Sequence, residues 1–122
     1  MSFGLLSAGQ WAIKNHKMII SLSSRRVKMR ADDILDDAKD LIQDRGKDYG
    51  LAALNHLRIS KYWSTYLERD IQPHEVAICM ALVKIARLQE TSLHSDSYKD
   101  GAAYIALAGQ IASTDWSDLD SY

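Results

Sequence analysis

The sequence predicts an all-α protein, a compact four-helix bundle-like domain preceded by a basic N-terminal extension. Three observations predict it. Apolar residues after Ala31 recur at helical spacing, and the segment from His74 to Leu88 is apolar on nearly every side. Turn-forming Gly46 and Gly50, and the single proline Pro73, fall between the helical stretches. A chain of 122 residues that is 47% hydrophobic can bury one core.

The elements follow in order. Ile34, Leu35, Ala38, Leu41 and Ile42 form the apolar stripe of a first helix, with Asp32 or Asp33 placed to cap its positive end. Gly46 is expected to end this helix by adopting the left-handed conformation, and Gly50 marks the following turn. A second helix is expected from about Leu51 to Glu68, where Ile59, Tyr62, Trp63, Tyr66 and Leu67 make a broad aromatic face. Pro73 suits a first helical turn, where a missing N–H costs nothing. The apolar segment that follows reads as the central and most buried helix. A last helix from about Ser97 to Ser113 is rich in alanine, which lets neighbours approach closely. The organisation expected is an extension over 1–30, a helical domain over 31–114 and an acidic tail over 115–122, which Trp116 can pin.

Charge divides the chain. Residues 1–30 carry six basic residues and no acid, leaving nine basic against sixteen acidic residues over 31–122, a balance of −7. A domain that acidic is a poor nucleic-acid binder except through the basic arm. The arm resembles a transit peptide or a nucleic-acid arm in composition, and Met18 and Met29 offer alternative starts. Residues 18–22 are its one strand-like segment. No apolar run approaches the roughly 20 residues of a membrane span. The lone Cys79 excludes a disulfide framework and fits a reducing, cytoplasmic setting. His16, His56, His74 and His94 have no metal-ligand spacing, and no phosphate-binding glycine loop or nucleophile elbow is present.

Four groups of residues can carry chemistry. Lys84 and Arg87 are the only charged residues between Glu75 and Glu90, and i, i+3 spacing places them on one side of an apolar helix. Two cations in a low-dielectric setting need acids or an anionic ligand, so they read either as a structural ion-pair network or as a phosphate site. Asp36, Asp37 and Asp40 offer oxygen ligands for Mg2+, or form a solvated acidic face. Asp96, Asp100 and Tyr104 follow at i, i+4 and i+8, and the two acids can bind metal or hold Lys84 and Arg87. Asp48 and Tyr49, between two glycines, can orient a sugar or base, or form a plain capping turn.

Residues from about Ile34 to Ile111 carry a resemblance. The order Lys47-Asp48-Tyr49-Gly50, Asn55, Trp63, Pro73, Lys84-Ile85-Ala86-Arg87, Asp100 and Ala103-Tyr104 resembles a set of small phage- and prophage-associated proteins. It is similar, more distantly, to the nucleotide modification associated domain proteins of phages, which implies work on nucleotides or modified bases. It is also loosely similar to the MazG-like all-α pyrophosphohydrolases, whose acidic metal motif Asp36-Asp37-x-x-Asp40 imitates with shorter acids. The second half of that motif is missing, because Asp96 and Asp100 are one residue too far apart.

Two functions follow. One is a phage-type protein binding a nucleotide or other small phosphorylated ligand, with or without Mg2+-dependent pyrophosphohydrolysis, in the cytoplasm of a bacterial host. Its site would comprise Lys47, Asp48, Tyr49, Asn55, Lys84, Arg87, Asp100 and Tyr104. The other is a non-enzymatic accessory or anti-defence protein that binds a host protein or sequesters a signalling nucleotide. The aromatic second helix and alanine-rich fourth lead us to expect a homo-oligomer, most simply a dimer.

Overall fold

The computed structural model describes residues 7–11, 14, 28–49 and 51–119. Four helices order the domain: α1 (Ala31–Tyr49), α2 (Ala52–Leu67), α3 (Pro73–Glu90) and α4 (Ser95–Ala112). A 3-10 turn, Trp116–Leu119, closes it, and no strand occurs among the described residues. The expected all-α bundle is therefore present. Most of the basic extension, including residues 18–22, lies outside the described residues.

Local chemistry sets the helix ends. α1 begins at Ala31 with Asp32 and Asp33 in its first turn, where carboxylates meet the positive end of the helix dipole. Gly46 does not end it. The helix runs through this residue to Tyr49, so Lys47, Asp48 and Tyr49 belong to its last turn rather than to a loop. A glycine inside a helix costs only about 1 kcal/mol, too little to stop a helix held by packing.

The end of α2 uses no glycine. Glu68 takes the left-handed conformation (φ 51°, ψ 42°), and the N–H groups of Glu68 and Arg69 both donate to the Ser64 carbonyl. Ser64 Oγ also accepts the Ile71 N–H at 2.9 Å, which ties down the short connection to α3. Pro73 opens α3 as expected, and the Gln72 N–H donates to Glu75 Oε1 at 3.1 Å. Before α4, His94 Nδ1 lies 2.7 Å from the hydroxyl of Ser97, which is fully buried.

α3 and α4 pack most closely; α1 lies against α4, and α2 against α3. The core cluster is Ala77, Leu107, Ala108 and Ile111, with Ile42, Ala52, Ala53 and Trp116 around it. Trp116 thus anchors the tail, as its position suggested. Val76, Ala81 and Ala103 are also fully buried. A Cβ added at Gly101 would meet the Lys84 Cβ at 3.7 Å, which measures how near the α3 and α4 backbones run.

This close approach overturns the expectation for α3. It is not the most buried helix; α4 is. The buried residues of α3 are Val76, Ala77 and Ala81, with Ala77 packed among Leu107, Ala108 and Ile111 of α4, while several of its large apolar residues turn outward. Ile78, Leu82, Val83 and Ile85 are 40–55% exposed. The aromatic face of α2 is divided: Tyr62 and Tyr66 are almost bare, Ile59 and Trp63 are half-buried, and His56 and Ser60 are the buried residues of the helix. An all-round apolar sequence cannot say which side will find a partner; alanine against alanine gives the shortest interhelical distance, and that decides it.

Candidate ligand cleft and its ion-pair wall

Helices α1, α2 and α4 leave a cleft of about 710 Å³ between them. Its apolar walls come from Ile42, Leu51, Ile59, Met80 and Leu107. Its polar groups are Arg45, Asn55, His56, Tyr104 and Gln110. This is the volume range of small-molecule sites, and the mixture of apolar wall with a few convergent polar groups is the usual one.

Arg45 is the most informative of these side chains. Its guanidinium carbon stands 5.3 Å from the centre of the Tyr104 ring, a cation–π distance. Its Nη2 lies 3.4 Å from Asp100 Oδ1, long for a charge-assisted hydrogen bond. Its Nη1 is buried and has no hydrogen-bond partner among the described residues. An unmade buried hydrogen bond costs about 1–3 kcal/mol. The side chain as a whole is about one-third exposed.

Asp100 forms the wall behind it. Its other oxygen, Oδ2, lies 3.2 Å from Lys84 Nζ, and the lysine side chain is 11% exposed. One carboxylate thereby compensates two cations from two different helices. The expectation that Asp100 answers Lys84 holds in the geometry. The expectation for Arg87 does not: Arg87 is exposed and makes no ion pair with a described carboxylate. The cause is rotation. Three residues along a helix turn the side chain by about 60°, and here that is the difference between the α4 interface and water.

A second, acidic groove lies on the other side of Asp100, lined by Asp37, Asp40, Leu41, Asp44, Asp96, Lys99 and Asp100. Lys99 Nζ contacts Asp37 Oδ2 at 3.0 Å, and this hydrogen bond, with the charge of Asp37, raises the lysine pKa above its ordinary value. Of the three candidate metal ligands, Asp37 and Asp40 reach this groove; Asp36 is exposed and does not line it. Among the described residues no three acids, histidines or cysteines converge closely enough to hold a metal ion.

The family model for a domain of unknown function (DUF6378) matches residues 33–112. The chain belongs to this family. The matched DUF6378 segment contains all four helices except the first residues of α1, and both the cleft and the ion-pair wall. Two phage proteins are similar to it. The "Gene 55 protein" of Mycobacterium phage D29 is 39% identical over 82 residues, covering 66% of this chain and 54% of that protein. The "Gene 55 protein" of Mycobacterium phage L5 is 42% identical over 74 residues, covering 58% of this chain and 47% of that protein. The chain therefore spans about half the length of the curated relatives it matches. No solved structure matches. The expected kinship with a phage-encoded family of unassigned function is correct. No helix of the described DUF6378 domain is long and apolar enough to cross a membrane.

Within this DUF6378 domain, Asn55 and Tyr104 share the cleft, and Lys84 and Asp100 support it from behind. Lys47 is exposed and lines neither recess. Asp48 and Tyr49 sit at the end of α1, and their side chains lie outside the described part. Sequence reasoning passed over Arg45. The signal was present, since Arg45 is the basic residue just before Gly46 in the most unusual stretch of the chain, on the side of α1 shared by Ile42.

Proposed function

We propose that this protein binds a nucleotide or nucleoside phosphate in the cleft between α1, α2 and α4. The observation that carries the proposal is Arg45 laid against Tyr104 at one side of a cleft whose other walls are apolar or amide-bearing. A flat, apolar base finds Ile59, Met80 and Leu107; its polar edge finds Asn55 and Gln110; an anionic group finds the guanidinium, whose fork suits phosphate oxygens. The site of action in this reading is the cytoplasm of a bacterial host.

Hydrolysis with Mg2+ is the finer form of the same proposal. Mg2+ takes one or two carboxylates together with waters and phosphate oxygens. Asp37 and Asp40, with Asp44, Asp96 and Asp100, line the acidic groove that Asp100 links to Arg45, and they are the acids this form would use. A thermal-shift panel of nucleotides, each with and without Mg2+, tests binding, because a ligand of the native state alone adds RT ln(1 + [L]/Kd) to stability. Release of pyrophosphate or phosphate in the same wells tests hydrolysis. A panel in which no nucleotide moves the melting temperature defeats the proposal.

A second reading has its own support. The outward apolar residues of α3 form a surface with no partner among the described residues, which favours a protein-binding accessory factor or a self-associating one.

A further inference from the structure

We propose that the ligand of this cleft carries one phosphate only, as a nucleoside monophosphate does, and that Arg45 is the residue that holds it. This rests on the nucleotide-binding reading above, sets aside its hydrolytic form, since a monophosphate has no pyrophosphate bond to cleave, and narrows the reading by counting charge. Arg45 is the one arginine or lysine among the described residues that line the cleft. Lys84 and Lys99, the other basic side chains nearby, are each engaged by an acid, Lys84 by Asp100, where it is nearly buried, and Lys99 by Asp37. Arg87 and Lys47 are exposed and line no part of it. One guanidinium matches one phosphate; a di- or triphosphate would leave its remaining charge without a cation among the described residues of the cleft.

The surroundings oppose a longer chain of phosphates. From Arg45 the path toward Asp100 leads into the acidic groove of Asp37, Asp40, Asp44, Asp96 and Asp100, whose one lysine, Lys99, is taken up by Asp37. Additional phosphates extending that way would meet carboxylates, and like charges at short range repel strongly where water is partly excluded. The single phosphate itself is well served. Nη1 of Arg45 is a buried donor with no hydrogen-bond partner among the described residues, and Nη2 reaches Asp100 only at 3.4 Å, so a phosphate that drew the guanidinium toward the cleft would supply a bond that Nη1 lacks. The Tyr104 ring lies 5.3 Å from the guanidinium carbon, within cation–π reach.

The remaining polar residues of the cleft have the features of a base subsite. His56 Nδ1 lies 2.8 Å from the Ala52 carbonyl. A carbonyl only accepts, so Nδ1 carries the hydrogen, and in the neutral ring Nε2 is left as an acceptor. Asn55 and Gln110 add amides that both donate and accept. Together they provide a hydrogen-bonding edge rather than a second anion site.

The test uses the full chain in isothermal titration calorimetry against a matched series: a nucleoside, its 5′-monophosphate, diphosphate and triphosphate, for each base, with and without Mg2+. The expected result is a monophosphate that binds at least tenfold more tightly than both its nucleoside and its triphosphate, without a requirement for Mg2+. Arg45→Gln should remove the advantage of monophosphate over nucleoside, and Arg45→Lys should restore part of it. A triphosphate that binds more tightly than the monophosphate, with or without Mg2+, overturns the single-phosphate inference and leaves nucleotide binding standing. A folded Arg45→Gln protein that keeps full monophosphate affinity also overturns it. If no member of the series binds, the nucleotide reading itself falls. Should Arg45→Gln not fold, the wild-type series alone still decides.

Discussion

Asp100 is where the fold and the candidate site meet, and replacing it puts a number on the arrangement. In the Asp100→Ala protein the Lys84 ammonium, 11% exposed, loses its carboxylate partner and has no second one among the described residues. Removing one side of a buried pair costs about 3–5 kcal/mol, because the remaining charge stays desolvated. Asp100 is itself 18% exposed, and Arg45 can turn to water, so a loss of about 3 kcal/mol is expected. Lys84→Met is the informative contrast. It keeps most of the stem, removes the buried cation and leaves Asp100 with Arg45, so it should cost only about 1–2 kcal/mol. Adding Lys84→Met to Asp100→Ala should then recover stability, since no unpaired ammonium remains. Asp100→Asn controls for shape and for the better helix propensity of alanine. Urea unfolding followed by circular dichroism reads these differences as shifts of midpoint at constant slope. An Asp100→Ala loss below about 1 kcal/mol, or one no larger than that of Lys84→Met, would refute the view that Lys84 depends on this carboxylate.

Three further outcomes are expected. Arg87→Ala should change stability by no more than about 0.5 kcal/mol, because the side chain is exposed and unpaired among the described residues; a loss comparable to that of Asp100→Ala in the same urea experiment would show that it has a buried partner. Gly46→Ala should stabilise the fold by about 0.5–1 kcal/mol, since Gly46 lies inside α1 and a Cβ there meets nothing within 4 Å; a lower melting temperature would mean that the helix needs the glycine. We also propose that the outward stripe of Ile78, Leu82 and Ile85 is covered by a second copy of the chain, so Leu82→Glu should shift sedimentation from dimer to a folded monomer whose melting temperature no longer depends on concentration. A wild type that sediments as a monomer at high micromolar concentration removes that proposal.

Much of this protein was legible from spacing alone. Helical period, the aspartates at the start of α1, and Pro73 placed four helices to within a few residues, because these signals act over one or two turns and need no distant partner. Lys84 stood out for a similarly local reason: a charge inside an apolar helix demands an answer, and Asp100 on the facing helix supplies it. Other features lay beyond any local rule. Gly46 could end α1 or sit within it at small cost, and α1 continues past it. Which side of the uniformly apolar α3 is buried depends on where alanines of α3 and α4 meet, so Arg87 and the large aliphatic residues face outward although their sequence context matches that of their buried neighbours. Arg45 belongs to the same class. Its importance arises from residues 55 and 59 positions further along, Asp100 and Tyr104, and from the cleft that α2 helps to enclose. Periodicity reports which residues can share a face; only packing decides which face meets water and which closes around a ligand.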